Sequence, residues 1–203
     1  MMRRSLLLLT SVFLLHAVIA PAATPQFPDV ADTSFTDAYG DRTLQLSLVV
    51  AASPRDAFAA LASRDGWKTW AVPFATGDFR VGGVFETSYR MDATAGDRSN
   101  IKTQVIASLP ERLLILRNLQ APPDFKDADL FGRTVMIVEL VPVTATSTRV
   151  VFSGVGFGTG SAFDELYQKF QWGNSYSLAN LKRRFETGPV DWTKELAPRA
   201  APK

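Results

Sequence analysis

A single change of periodicity near Gly160 constrains the fold of this chain more than any other feature of the sequence. Before Gly160, short segments alternate apolar and polar residues, which is typical of β-strands with one buried face. After it, residues 161–187 carry apolar side chains at helical spacing, and Gly188-Pro189 follows as a stop signal, so one long amphipathic helix is predicted. Since neither kind of element can leave its apolar face in water, the helix must pack on the sheet, which predicts the α+β class.

The helical pattern divides residues 161–187 into two faces. Ser161 is predicted to be the N-cap, with Asp164 in a position similar to that of a capping box. The broad apolar face, which we expect to meet the sheet, comprises Phe163, Leu166, Phe170, Ser177, Leu178, Leu181 and Phe185. The opposite face is expected to hold Gln168, Lys169, Asn180, Lys182 and Arg183.

The part of the chain before the helix predicts about seven strands in sequential order, which favours an antiparallel meander. A short helix interrupts them, with Ser53 as N-cap and Pro54 at its first position. Gly82-Gly83 suits a tight hairpin. A sheet of this size curls, so we expect it to wrap around the long helix and enclose a cleft. The predicted strands are 44–50, 78–81, 84–91, 100–108, 112–118, 133–141 and 148–155.

The N-terminus has the three-part layout of a secretory leader. Arg3 and Arg4 precede an apolar run from Leu6 to Ala20, and Ala20-Pro21-Ala22 offers small residues for cleavage after Ala22. The run is shorter than the ~20 residues that span a bilayer, so an uncleaved anchor is the weaker interpretation. We therefore expect residues 1–22 to be a signal peptide, the mature protein to be periplasmic or secreted, and no stable membrane anchor to remain.

Composition narrows the chemistry available to the mature protein. Its sequence contains no Cys, and the one His, His16, lies in the leader. Ser–His–Asp and Cys–His catalysis and zinc sites of the Cys/His kind are thereby excluded. Loss of Arg3 and Arg4 with the leader would cancel the formal net charge of +2, so there is no electrostatic case for nucleic-acid binding. A binding protein is favoured over an enzyme, and neither cofactor nor metal is predicted.

The remaining chain divides into three parts. Residues 23–43 are rich in Pro, Asp and Thr and are predicted to form an extended arm, pinned by Phe27, Phe35 or Tyr39. Residues 44–188 form the domain itself. Residues 189–203, rich in Ala, Pro and charge, are expected to be a loose tail.

Several motifs in residues 44–188 resemble those of a known family. They are Ser53-Pro54, Trp67 with Trp70, the segment from Gly77 to Gly83, the segment from Leu109 to Leu113, and Gly173 followed by Leu178, Leu181 and Phe185. In this order and spacing they are similar to the SRPBCC (START-like) superfamily, in the branch named for homologues of the activator of heat-shock-protein ATPase. The resemblance implies the helix-grip fold, a curved antiparallel sheet around a long C-terminal helix. Its members include lipid carriers, polyketide cyclases, hydrolase-like proteins and co-chaperones, so it does not imply one activity.

The terminal helix departs from the pattern of that branch, which often has Gly-Trp there. Here Asn174 follows Gly173, and Trp172 precedes it. This substitution allows a polar group inside the cavity. Gly173 itself is explained either by a close approach of the helix to the sheet, which is favoured, or by room for a ligand or a local bend of the helix.

Strand and helix faces directed at the cleft provide the candidate ligand-binding residues. These are Tyr89, Phe85, Leu116, Met136, Phe170, Asn174 and Ser177. The apolar members could equally be ordinary core, and for Phe85 that alternative is favoured. The connection from Leu119 to Phe131 is the candidate lid, with Phe125, Leu130 and Phe131 able to close over the cavity mouth. Asp78 with Arg80 is best interpreted as a surface ion pair, and no catalytic residue is assigned.

The leading hypothesis is an exported domain that binds a hydrophobic small molecule, such as a lipid, an isoprenoid or a polyketide-like compound, between the sheet and the last helix. One alternative is a cyclase- or hydrolase-like enzyme that uses the same cavity, which an inward pair of Tyr with Asp, Glu or Arg would favour. The other is a protein-interaction module without a ligand, which a packed interior with a large exposed apolar patch would favour. The sequence does not identify the ligand or the oligomeric state.

Overall fold

The computed structural model describes residues 26–197, and the predicted leader lies outside the described residues. Nine strands and five helices occur in the described part. The strands are β1 (Ala31–Asp32), β2 (Phe35–Thr36), β3 (Arg42–Val50), β4 (Phe74–Gly77), β5 (Val84–Ser88), β6 (Ile101–Leu109), β7 (Leu113–Gln120), β8 (Val135–Thr144) and β9 (Ser147–Phe157). The helices are α1 (Pro54–Leu61), α2 (Arg64–Lys68), α3 (Ala128–Phe131), α4 (Ser161–Thr187) and α5 (Trp192–Glu195).

All the strands join one antiparallel sheet in the order β1-β3-β9-β8-β7-β6-β5-β4, with β2 also paired to β3. The predicted α+β helix-grip architecture is confirmed. Strands β3 to β9 correspond to the seven that were predicted, and the two short additional strands come from the N-terminal arm. Register shifts near Arg42, Lys102, Val105 and Pro142 mark bulges, which bend strands and let the sheet curve around α4.

One predicted strand is displaced. The pattern placed it at 78–81, but β4 is Phe74–Gly77, and residues 78–83 form the turn into β5. Gly82 has a positive φ of 83°, which suits a tight turn. At Gly83 the chain passes so close to Asp78 that an added Cβ would lie 2.6 Å from the Asp78 carbonyl oxygen. The alternation of polar and apolar residues at 78–81 therefore belongs to a turn and not to a strand. In this turn, Asp78 and Arg80 form the exposed ion pair that was expected, at 2.7 Å.

Helix boundaries agree with the sequence signals except at the start of α4. Ser53 caps α1 as predicted, because its Oγ accepts a hydrogen bond from the Asp56 amide at 3.1 Å. Ser161 does not cap α4: it is the first helical residue, and Gly160 occupies the cap position. Gly188, with φ 94°, ends the helix after 27 residues, or about 40 Å.

The core lies between the concave face of the sheet and α4. Leu44, Leu46 and Val50 of β3 point to this side and are at most 1% exposed. Helix α4 contributes Leu178 and Leu181, which are fully buried. The centre of the helix is therefore enclosed by the sheet, which explains its apolar stripe.

The arm and the tail are both attached to the domain, which corrects the prediction of a loose tail from residue 189. The amide of Val190 donates to the Thr69 carbonyl at 2.9 Å, and Trp192 is buried with its indole N–H donating to the Lys68 carbonyl. In the arm, Phe27 packs edge-on against Trp172 of α4, whereas Tyr39 is 93% exposed and pins nothing.

Candidate functional site

A cavity of about 260 Å³ lies between the concave sheet and α4. Its walls are mainly apolar side chains of the central strands and of the segment around α1 and α2. Among them are Leu61, Trp67, Trp70, Leu114, Val138 and Phe152. The two Trp side chains stay in place because their indole N–H groups donate to the carbonyls of Leu61 and Ala60. The sequence singled out this Trp pair but did not assign it to the cavity.

One stripe of α4 forms the helical wall of the cavity. Lys169, Phe170, Gly173, Asn174 and Ser177 all border it. These positions are four residues apart or adjacent, so they form one face over two turns of helix. Lys169 was expected mostly on the opposite face; it is exposed, as that prediction requires, but it also borders the cavity at its rim. Because the sheet curves around the helix, the surface of α4 that borders the cavity is wider, by one residue, than the apolar side chains alone indicate.

Gly173 faces open space. No atom lies within 4 Å of the Cβ that another residue would place there, so the favoured prediction of a close helix–sheet approach is wrong. Its backbone is helical and does not have the positive φ that requires glycine. Gly in a helix costs about 1 kcal/mol relative to Ala. What this glycine provides in the structure is room in the cavity wall.

Six of the seven predicted ligand-binding residues border this one cavity: Tyr89, Leu116, Met136, Phe170, Asn174 and Ser177. Phe85 does not. It is completely buried and stacks on Phe79, with ring centroids 4.1 Å apart, while Trp67 meets it edge-on at 5.2 Å. The inward face of β5 at this level is covered by α2 and by the turn after β4, so Phe85 belongs to the core.

Tyr89 lies one residue beyond the end of β5, at the border of the cavity. The residue is half exposed, and its hydroxyl makes no hydrogen bond with the described part of the chain. Although Tyr89 is half exposed, the protein atoms packed around its side chain displace water and raise the pKa of the hydroxyl by disfavouring its charged form, and Tyr176 adds to this effect. Tyr89 is therefore a neutral donor at physiological pH.

Polar groups without protein partners are spread over the lining. The side chains of Thr87, Thr103, Asn174 and Ser177 border the cavity, and none of them hydrogen-bonds to a described residue. Thr87 and Thr103 are nevertheless buried. Neither Thr87 nor Thr103 is among the predicted site residues, although alternation along β5 and β6 places both on inward strand faces. Together with the Tyr89 hydroxyl, these unpaired groups are the donors and acceptors that orient a ligand in such an apolar cavity.

The predicted lid covers one end of the cavity. Phe125 and Phe131 border it, and their ring centroids are 5.3 Å apart. Phe131 also contacts Phe170 of α4, with a centroid distance of 5.6 Å. Leu130 packs against the core without bordering the cavity, so its predicted place in the lid mouth is wrong. An ion pair between Lys126 and Glu165, at 2.6 Å, ties the loop to the helix.

The described lining contains no carboxylate. Glu86 faces away from it and accepts hydrogen bonds from the Gly96 amide and the Asn100 side chain, both at 2.8 Å. Within residues 26–197, no cluster of three His, Cys, Asp or Glu side chains is suited to hold a metal ion. No helix in that range is both long and apolar enough to cross a bilayer.

Comparison with known proteins gives a consistent result for the fold. A family model described as "Activator of Hsp90 ATPase homolog 1-like protein" matches residues 51–186. The solution structure of CalU16 from Micromonospora echinospora is similar with a TM-score of 0.57 at 15% identity, covering 86% of this chain and 85% of that one. A search of curated proteins found no match.

Two further structures are similar over slightly less of the chain. A Mesorhizobium loti protein has a TM-score of 0.56 at 20% identity, covering 73% of this chain and 100% of that one. The Aha1 dimer from Colwellia psychrerythraea has a TM-score of 0.54 at 19% identity, covering 72% of this chain and 97% of that one. At these identities the likeness establishes the fold.

Proposed function

Because the chain belongs to the Activator of Hsp90 ATPase homolog 1-like family, whose fold leaves a cavity between sheet and helix here, we propose that it binds a hydrophobic small molecule in that cavity. The observation that carries this proposal is the combination of apolar walls with polar side chains that have no protein partner. In a tightly packed core, buried polar side chains normally hydrogen-bond to other protein groups, or apolar side chains occupy their positions.

The volume of the cavity sets the scale of the ligand. An apolar protein cavity of ~150 Å³ accommodates benzene, and this cavity is about 260 Å³. It therefore suits a compact ring system or a short acyl chain, and the larger part of a diacyl lipid would have to remain outside.

Binding is favoured over catalysis by the identity of the lining groups. The enzyme alternative called for an inward Tyr paired with a carboxylate or Arg. Tyr89 has no such partner among the residues that the structure describes, and its raised pKa comes mainly from burial. Hydroxyl and amide groups in an apolar cavity hold and orient a ligand.

We also propose that the protein acts outside the cytoplasm. The support is the sequence of residues 1–22, with two Arg, an apolar run and a small-residue cleavage site. Export would give the domain access to apolar molecules of the periplasm or of the medium.

A titration with the neutral, environment-sensitive dye Nile red tests the binding proposal. Ser177→Phe should fill the cavity and remove most of the fluorescence increase. Ser161→Phe places the same side chain at the exposed start of α4, away from the cavity, and should leave it unchanged. Circular dichroism and thermal melts verify that both variants are folded.

Equal dye binding by wild type and Ser177→Phe would overturn the proposed site. Native mass spectrometry of the wild-type protein, purified from its own compartment, provides an independent test. A bound small molecule that is released when the protein unfolds would support the proposal, and a protein that neither carries a ligand nor binds the dye would contradict it.

A further inference from the structure

The lining contains a single charged side chain among its described residues, and that residue is a cation. Lys169 borders the cavity on α4, while no Asp, Glu or Arg does. Its ammonium lies 5.2 Å from the centre of the Phe125 ring, at the lid. Lys169 is exposed at the rim of the cavity, and the Glu165 carboxylate acts on it only from beyond ion-pair distance. Glu165, one turn earlier, is already paired with Lys126 at 2.6 Å.

The same helical face has an unfilled position one turn after Lys169. Gly173 has a regular helical backbone, borders the cavity and has no neighbouring atom where a Cβ would project. Neither backbone conformation nor close packing explains glycine at this position, and glycine is unfavourable within a helix. Phe170 and Ser177 border the gap on either side along the helix. The opening gives a flat group direct access to the helix backbone.

From these two features we propose that the ligand is a compact amphipathic anion. Its ring system lies against the helix backbone at Gly173, and its carboxylate lies beside Lys169 at the lid. Asn174 and Ser177 offer hydrogen bonds to polar substituents of the ring. This inference rests on the proposed function, because it specifies the ligand class of the same cavity.

Two ligands of equal ring size separate the contribution of charge from that of shape. The probes are 2-naphthoate and neutral 2-naphthylmethanol, titrated by calorimetry or by competition with Nile red. Wild type should bind the anion more tightly, by about threefold or more, since an exposed ion pair contributes modestly. Lys169→Gln should abolish this preference without changing affinity for the neutral compound. Lys194→Gln removes an exposed charge on α5 and should preserve the preference.

Variants at Gly173 test the position of the ring. Gly173→Leu should weaken binding of both naphthalene compounds by about tenfold or more, because the side chain occupies the ring site. Gly173→Ala should bind more weakly than wild type and yet melt at a higher temperature, since Ala is the better helix former. If Gly173 had only a structural role, Gly173→Ala would lower both the melting temperature and the affinity for the naphthalene compounds. Gln168→Leu adds the same side chain at an exposed residue outside the lining and should bind as wild type does.

The outcomes distinguish this inference from the proposed function. If wild type binds Nile red but prefers the neutral naphthalene, shows no preference or binds neither naphthalene, the anionic ligand class is wrong while the cavity function stands. If Gly173→Leu binds both compounds as wild type does, the ring position is wrong. If wild type binds neither the dye nor the naphthalenes, the proposed function itself fails.

Discussion

Two phenylalanines near the site differ in what their side chains contact. Phe85 is completely buried, stacked on Phe79 and met edge-on by Trp67. Phe170 is only partly buried, because one side borders the cavity while its ring meets Phe131 and Phe157 at centroid distances of 5.6 and 5.8 Å. The first side chain therefore stabilises the fold, and the second also shapes the site.

Truncation of the two residues should separate stability from binding. Phe85→Ala should lower the free energy of unfolding by ~3–5 kcal/mol, the range for a fully packed phenylalanine. Phe170→Ala should cost less than ~3 kcal/mol because its environment is already partly open. It should also enlarge the cavity and weaken dye binding. Urea denaturation and Nile red titration measure both effects. A larger stability loss for Phe170→Ala would contradict this assignment.

Asn174 contributes orientation rather than packing in our proposal. Its side chain borders the cavity and has no hydrogen-bond partner among the described residues. Asn174→Leu should leave the thermal melt within a few degrees of wild type and change the order in which polar-substituted naphthalenes bind. An unchanged ranking of at least three such ligands would show that the amide does not face the ligand.

At the scale of elements, the connection between β7 and β8 is anchored at α3, where Phe131 is buried and contacts Phe170, while its earlier part is joined to α4 by exposed contacts. Its Lys126 is joined to Glu165 by an exposed ion pair, which solvent screens and which therefore contributes little to stability. Phe125 contacts Phe131 within the connection and Lys169 of α4. A segment joined to its neighbours mainly by exposed contacts, as at Lys126, can open without unfolding of the domain. These features support the role of a lid.

Phe125→Ala should therefore increase the rate of ligand release more than it reduces stability. Stopped-flow displacement of Nile red should show dissociation faster by about threefold or more, with the melting temperature changed by only a few degrees. Tyr39→Ala, at a residue that is 93% exposed on the arm, is the matched control and should not alter the rate. An unchanged dissociation rate for Phe125→Ala would exclude a lid at this position.

At the scale of the molecule, both ends of the described chain secure α4. The arm pairs with β3 through β1 and β2, and Asp29 forms an ion pair with Lys182 at 2.8 Å. At the other end, Arg183 pairs with Glu195 of α5 at 3.1 Å. The helix is therefore held on its outer side as well as by the sheet, which provides a fixed wall for the cavity.

We expect cleavage after Ala22, which would leave the whole arm on the mature protein. Expression in a bacterial host with an intact secretion pathway, followed by fractionation and N-terminal sequencing, should give a periplasmic or secreted protein that begins at Ala23. Substituting Ala20 and Ala22 with Arg should cause the uncleaved precursor to accumulate. A soluble wild-type protein that retains Met1 would contradict both cleavage and export.

The sequence by itself determined the features that depend on neighbouring residues. Ser53 and Pro54 begin α1, Gly188 ends α4, and alternation in β3 buries Leu44. These features follow from backbone dihedrals, capping and side-chain periodicity, which act over a few residues. For the same reason, the long helix and the antiparallel order of the strands could be predicted without knowledge of their contacts.

The tertiary structure alone decided which side chains share the cavity. Side-chain alternation predicts that Phe85 and Tyr89 lie on the same strand face. In the structure, α2 and the turn after β4 cover Phe85, and only Tyr89 borders the cavity. The curvature of the sheet brought Lys169 into the lining and left Gly173 beside open space. Curvature depends on bulges and on pairing between strands far apart in sequence, so no local pattern encodes it.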